Sequence, residues 1–390
     1  MAAFGRQLLP LWHLDPAGTF LNHGSFGACP REVLAAQSAI REEMERQPDL
    51  FFRRKGRPIA PENAVRPAAA RLARFVGTNE ERIAFVTNAT EAVTTVLRAL
   101  ELEPGDEILV LDSTYNAVRL AVEDTCKRSG AKPVSVALPI PLKANDIVER
   151  IAEGAGPRTR LAIIDHIASP TAVVFPVAEI TAALKAKGVR VLIDGAHALG
   201  HLPLDLEAIG ADWYTANAHK WLFAPKGCAM LYASAEMAAR TVPLAVSHWH
   251  GLGFPRAFDY VGTRDISAFL SVPAALDFIE RFGIEKMHAH MFALAREGGA
   301  LMRRLGAEAV AGDAMSCAMR AYILPQSRTA EPADATDLMH ELWEKHRIQV
   351  AASTFQGKLL CRLSAQIYNE GADFERAIAA LSRDGWAGRL

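Results

Sequence analysis

Short apolar runs recur along the chain between residues 83 and 232, and helix-spaced windows separate several of them. The runs are Ile83–Thr87, Ile108–Leu111, Val134–Leu138, Leu161–Ile164, Val189–Ile193, Trp213–Thr215 and Cys228–Tyr232. Near-continuous apolar stretches of this length are what strands buried on both faces require. In the window Glu91–Leu100 the apolar residues Ala92, Val93, Val96, Leu97 and Leu100 fall on one helix face, and Val177–Lys187 reads similarly. Repeated strand–helix alternation predicts an α/β fold with a mostly parallel, seven-stranded sheet covered on both sides. In such sheets a ligand sits at the carboxyl ends of the strands. That edge is where Thr87-Asn88-Ala89-Thr90, Asp194 and Lys220 fall.

The flanks read differently. Residues 1–35 hold Leu21-Asn22-His23-Gly24-Ser25-Phe26-Gly27 and no long periodicity, which suggests an ordered arm near a ligand or a plain surface turn. A charged helical pattern runs from Pro30 to about Arg54. After about Arg264 a helix-rich stretch reaches Arg304, broken near Phe282-Gly283. Then come a strand-like Cys317–Leu324, a loop from Pro325 to Ala335, a helix from Ala335 to His346, strand-like Ile348–Val350 and Leu359–Leu363, and a final helix. The expected organisation is an arm (1–35), a large ligand-binding domain (36–264) and a smaller α+β domain (265–390).

Composition narrows the classes. The 390 residues are half hydrophobic, enough for a large core, and the net charge of −1 gives no drive toward nucleic acid or an anionic membrane. Five scattered cysteines without a CxxC pair suggest buried thiols in a reducing compartment. No charged stretch followed by an apolar run opens the chain, and no apolar run is long enough for a bilayer, so a cytoplasmic protein is expected.

The candidate chemistry centres on a lysine and an acid. Lys220, between His219 and Trp221, reads alone either as a surface lysine or as a desolvated one kept partly neutral. Asp194 closes an apolar run ahead of Gly195-Ala196-His197, where it caps a turn or holds a ligand, or does both. Thr87-Asn88-Ala89-Thr90-Glu91 is an N-cap, and in company also an anion cradle. Pyridoxal phosphate is the cofactor that asks for this set, a lysine for its carbonyl carbon and an acid for its ring nitrogen. His197 and His201, with His248 and His250, lack metal-site spacing, so no metal is expected. Cys317 opens a strand-like run and reads as a buried thiol.

With these residues assembled, the chain resembles the class V aminotransferase family of fold-type I pyridoxal-phosphate enzymes, and within it the isopenicillin N epimerase-like branch. The resemblance rests on Phe20–Gly27, Thr87–Ala92, Thr114–Ala117, Ser169–Ala172, Asp194–His197, Thr215–Trp221, Gly262–Asp265 and Arg362–Ala365. It implies that Lys220 is the Schiff-base lysine and proton shuttle, that Asp194 pairs with the pyridinium, and that His197 approaches the phenolic oxygen. It puts Tyr115 on the cofactor ring, where stacking needs a flat face. Asn88, Ala89, Thr90, Thr215, Asn217 and His219 are implied for the phosphate. Gly262 and Thr263 are implied to reach a neighbouring subunit's phosphate, hence a homodimer with composite sites. Arg362 is implied to fork onto a substrate carboxylate, and Asn22, His23 and Gly24 to close over the substrate. Cysteine desulfurases of the family carry a cysteine on the loop before that arginine, and Pro325–Ala335 has none.

The implied substrate is a small molecule, an amino acid or an amino-acid-like one such as an aminoadipyl-type side chain, deprotonated at Cα through a Schiff base. Epimerisation is the leading expectation, with a C–S lyase or aminotransferase as the alternative. A cofactor-free binding protein on the same fold is a third reading, opposed by Lys220 together with Asp194.

Overall fold

The computed structural model describes residues 4–60, 62–142, 147–325 and 329–386. Its first strand, β1 (Thr19–Phe20), pairs in parallel with β11 (Ile348–Gln349), tying the arm to the C-terminal third. The large sheet contains β2 (Ile83–Val86), β3 (Glu107–Leu111), β4 (Lys132–Val136), β5 (Thr159–Asp165), β6 (Arg190–Asp194), β7 (Trp213–Ala216) and β8 (Ala229–Ala233). Its order is β2-β8-β7-β6-β5-β3-β4, with β8 antiparallel to both neighbours and the other pairs parallel. The expected seven-stranded, mostly parallel sheet is what forms.

Alternation within each strand explains the continuous apolar runs. Ile83, Phe85, Leu109, Leu111, Val191 and Ile193 enter one core, whereas Ala84, Val86, Ile108, Val110, Ile163 and Leu192 enter the other. Successive side chains leave a strand on opposite faces, so a sheet packed on both sides needs apolar residues at every position. Helices Ala89–Ala99 and Asn116–Ser129 supply Val93, Val96, Val118 and Val122 to the second core.

A four-stranded sheet follows: β9 (Glu308–Ala309), β10 (Met319–Ile323), β12 (Ala351–Phe355) and β13 (Lys358–Ser364), ordered β12-β13-β10-β9 and antiparallel throughout. The strand β12 is not among the sequence expectations. Its small and polar residues Ala351, Ala352, Ser353 and Thr354 are all half-buried, so no apolar period announces it. The expected break at Gly283 is real, between helices Val272–Phe282 and Ile284–Arg304. The helix expected over Pro30–Arg54 is interrupted at Gln47, after Arg31–Arg46. Of the predicted loop Pro325–Ala335, residues 326–328 lie outside the described ones, and the following helix starts at Pro332. Among the described residues no helix is long and apolar enough to cross a membrane.

Candidate active site

The carboxyl ends of β5, β6 and β7 lie along one edge of the large sheet, and the register pairs Asp165 with Asp194 and Asp194 with Thr215. Each of β5 and β6 thus ends its buried run on a carboxylate. The turn beyond Asp194 is held by Gly195 N–H donating to the Thr215 carbonyl (2.7 Å) and Ala196 N–H donating to Asp194 Oδ1 (3.0 Å). Gly195 has to be glycine, since a Cβ there would come within 2.3 Å of the Tyr214 hydroxyl oxygen.

Lys220 lies four residues past β7, on a turn whose far side is covered by the arm. Gly27 has φ +66°, and a Cβ on it would meet the His219 carbonyl oxygen at 2.4 Å and Lys220 Cα at 2.8 Å. Only glycine permits that approach in that conformation. His23 Nε2–H donates to the Lys220 carbonyl (3.1 Å), so its Nδ1 accepts from the Tyr368 hydroxyl (2.8 Å). The backbone of Lys220 is therefore clamped, and Nζ extends to 3.3 Å from His197 Nε2.

A cavity of about 320 Å³ opens above this edge. At one end stands the first turn of helix Ala89–Ala99, whose N-cap Asn88 accepts from Glu91 N–H (2.8 Å) while Ala89 N–H donates to Asn217 Oδ1 (2.9 Å). Helix N-termini present orphan N–H groups to anions. His219 joins them. Its Nδ1–H donates to the Cys228 carbonyl (2.9 Å), and burial lowers its pKa to about 4, so the ring is neutral.

Electrostatics favour a reactive amine. Burial first, then the Arg362 charge, lower the Lys220 pKa to about 7, against the pull of Asp194. His197 is held neutral by burial and by the Lys220 and Arg362 charges, and its Nδ1 is buried without a partner. Burial raises Asp194, opposed by Ala196 N–H and by Lys220.

Arg362, on β13, is the cation facing them. Its Nη1 donates to the Ser169 carbonyl (2.5 Å), and its Nη2 donates to Ser25 Oγ (3.0 Å) and Asn22 Oδ1 (3.5 Å). All these partners are neutral, and its buried Nε has none. Burial lowers its pKa to about 10. A buried guanidinium without a carboxylate asks for one from a ligand. Arg362 also lines a second cavity of about 490 Å³ that shares Ser25, Phe26, Tyr115 and Ser169 with the first.

Of the residues singled out in the sequence, Asn88, Ala89, Thr90, Tyr115, Asp194, His197, Asn217, His219 and Lys220 all line the first cavity. Tyr115, 49% exposed, caps helix Asn116–Ser129 at the mouth. Asn22 lines the second cavity beside Arg362. Other placements differ from expectation. The Thr215 hydroxyl donates to the Met230 carbonyl (2.9 Å) inside the sheet, and Thr215 does not line the cavity. His23 is fully buried against Trp221, Phe223 and Tyr368, so it clamps Lys220 rather than closing over a substrate. Gly24 is also buried; its N–H faces Ser364 Oγ (3.3 Å), and a Cβ would strike Met319 Sδ. Gly262 and Thr263 do not line this chain's cavity, and Thr263 Oγ1 is 3.2 Å from the Tyr260 hydroxyl. Cys317 and Cys361 are buried, with burial raising each to about 12, and neither lines the cavity. Among the described residues no group of three His, Cys, Asp or Glu is placed to hold a metal ion.

Some lining residues had been given no role: Ser25, Phe26 and Ser169, although they lie within the stretches that carry the resemblance, and Asp165, which lies outside them. For Asp165 the signal was present, since it ends the run Leu161–Ile164 as Asp194 ends its own. The set fits a phosphorylated aromatic aldehyde. An amine that loses its proton near neutrality, an acid on the floor, an anion-binding helix end and an unpartnered imidazole nitrogen face one space.

Comparison with known proteins bears on the same set. The family model for class V aminotransferases matches residues 59–376. The chain is 33% identical over 409 residues to the probable chloroplastic L-cysteine desulfhydrase of Arabidopsis thaliana, covering 96% of this chain and 85% of that one. It is 32% identical to the isopenicillin N epimerase of Streptomyces clavuligerus, covering 97% and 96%. Among solved structures, the cysteine desulfurase CsdA of Escherichia coli superposes with a TM-score of 0.75 at 21% identity, covering 97% of each chain. The cystine C–S lyase C-DES superposes with a TM-score of 0.78 at 23% identity, covering 93% and 97%. These two likenesses concern the fold.

Proposed function

The chain belongs to the class V aminotransferase family, its cofactor is pyridoxal phosphate, and from that premise we propose that it epimerises an amino acid or amino-acid-like substrate at Cα. The observation carrying a Cα reaction is the pairing of a desolvated Lys220 with a buried Arg362 that lacks a carboxylate. When bound, pyridoxal phosphate supplies an electron sink for negative charge at Cα. Asp194 would hold the ring nitrogen and His197 the phenolic oxygen, with Asn88, Ala89, Thr90, Asn217 and His219 around the phosphate. Tyr115 would cover the ring.

The residues then divide the work. Arg362 binds the substrate carboxylate through its free edge while Ser25 and Asn22 hold the rest of the fork. This fixes which bond at Cα faces Lys220. Nζ of Lys220, its pKa lowered to about 7, takes up the Cα proton on its own face, and inversion requires that the returning proton reach Cα from the opposite face. His197 keeps Nζ in place at 3.3 Å. The buried carboxyl edge of the sheet excludes water from the proton in transit.

Two observations support epimerisation of an extended substrate over lysis of cysteine. The second cavity, lined by Arg362, shares Ser25, Phe26, Tyr115 and Ser169 with the first and offers room for a side chain longer than that of cysteine. The epimerase relative also aligns over 96% of its own length. A C–S lyase reading draws support from the desulfhydrase relatives and from the lack of a cysteine on the cavity wall among the described residues. A homodimer is part of the proposal: Gly262 and Thr263 sit outside this chain's cavity, and Val242, Leu244, Val246 and Leu252 are exposed nearby in sequence. So are the arm–large–small domain division and a cytoplasmic location.

Solvent deuterium exchange at Cα across L- and D-amino acids tests the reaction. Exchange with inversion, and no keto-acid requirement, is expected. Pyruvate and sulfide from cysteine without inversion would turn the assignment to a lyase, and keto-acid dependence would turn it to an aminotransferase.

A further inference from the structure

The mechanism above leaves one buried ionisable group on the cavity wall without a task. Asp165 ends β5 as Asp194 ends β6, and the two are register partners on neighbouring parallel strands. Register partners lie one strand spacing apart, roughly 5 Å, with side chains on the same face. Both residues continue the face occupied by Ile163 and Leu192. Asp165 is only 4% exposed, lines the same cavity, and its Oδ2 has no hydrogen-bond partner.

The groups around the pair are specific. Asp194 Oδ1 accepts from Ala196 N–H, and Lys220 is the cation that bears on Asp194. Asp165 is eased by its own backbone N–H and by the Thr114 hydroxyl, and it has no cation of its own among the causes acting on it. Tyr214, whose phenol burial and Asp194 keep protonated, directs its hydroxyl to His166 Nδ1 (2.7 Å) instead. The neighbouring His166 is neutral, lowered to about 4 by burial. Two buried carboxylates on neighbouring strands, with Lys220 bearing on Asp194 and no cation bearing on Asp165, resist ionising together.

We propose that Asp165 is a positioning residue for Asp194: it stays a neutral carboxylic acid in the holoenzyme, and its O–H donates a hydrogen bond to the Asp194 carboxylate. This rests on the cofactor reading above. The donated hydrogen bond fixes the Asp194 rotamer toward the cavity and reduces the basicity of the acid that faces the ring nitrogen. Burial and the neighbouring Asp194 charge push Asp165 well above the usual carboxylate range, in the same direction.

The test uses the holoenzyme and two variants, Asp165→Asn and Asp165→Leu. Infrared difference spectra at pH 7 read the acid directly. The wild type should show a carboxylic-acid carbonyl band that Asp165→Asn removes. The pH midpoint of the cofactor's visible absorbance reads the effect on Asp194. The amide of Asp165→Asn keeps a donor and no charge, so the midpoint should hold to within about 0.3 unit, whereas Asp165→Leu, lacking a donor, should raise it by roughly half a unit or more. A missing band, or a midpoint that falls by about one unit in Asp165→Asn, would mean an ionised Asp165 and overturn the proposal. An unmoved midpoint in Asp165→Leu would leave Asp165 a packing residue and overturn it too. A protein without any cofactor absorbance would instead refute the cofactor reading.

Discussion

On the cofactor side of the cavity, most side chains come from the ends of adjacent strands, with Ala89 linked to Asn217 across 128 residues and the arm reaching in only to clamp the Lys220 backbone through His23. On the substrate side, Arg362 meets Ser25 and Asn22 across 337 and 340 residues, joining an N-terminal arm to a strand of the smaller sheet. The first wall is fixed by strand register inside a sheet buried on both faces. The second depends on the arm and the small sheet seating against the large one. A catalytic set common to many reactions thus stands on the rigid wall, and the groups that select a substrate stand where separate elements meet. Change on the first wall should abolish chemistry, and change on the second should redirect it.

Replacements that separate the walls follow in order of expected effect. Lys220→Ala should lower Cα hydrogen exchange by about 10⁴-fold, the upper range for losing a general acid–base. Asp194→Ala should cost about 10³-fold and weaken cofactor retention, because the ring nitrogen loses its buried acid. On the other wall, Arg362→Leu should cost about 10²-fold in kcat/KM, mostly through KM, with the cofactor still bound. Arg362→Lys should not restore it, since an ammonium cannot replace the fork to Ser169, Ser25 and a substrate carboxylate together. A cofactor-affinity titration separates two residues that sequence alone groups: Asn217→Ala should weaken binding about 10-fold, whereas Thr215→Val should cost only about 1 kcal/mol of stability, its hydroxyl being bonded within the sheet.

Acid should act on both walls, and most gently. His23 is lowered to about 3, and His166 and His219 to about 4, each by burial from 6.5. Below pH 6.5 the unfolded chain takes up protons that the folded one refuses. Stability is therefore full above pH 6.5 and falls as pH drops toward 4. Thermal melts should show a Tm at pH 5 several degrees below that at pH 7.5. His23→Gln, which keeps hydrogen-bonding capacity without titrating, should flatten part of that slope.

The difference between the walls also explains what the sequence disclosed. The sheet was legible because its strands other than the exposed edge strand β4 are short apolar runs, as burial on two faces demands. Asp194 was legible as the polar stop of such a run, and Asp165, an identical stop, was passed over for want of a motif around it. Lys220 was legible because its charge stands amid apolar neighbours. For Thr215 and His23 the motif gave residue identity and not the direction of the side chain. One faces along its sheet to Met230, and the other faces the core to Tyr368. The half-buried β12 had no apolar period to announce it, and the meeting of Arg362 with Ser25 had no local signal, because a contact across more than three hundred residues leaves no period in the sequence.

The central claim is that Lys220 is the amine that meets the cofactor's carbonyl. Borohydride reduction of the purified holoenzyme, followed by proteolysis and mass spectrometry, tests it most directly. The account predicts the reduced cofactor on the Nζ of Lys220 and no covalent adduct in Lys220→Ala. A reduced cofactor found on another lysine, or one still fixed covalently in Lys220→Ala, would contradict it.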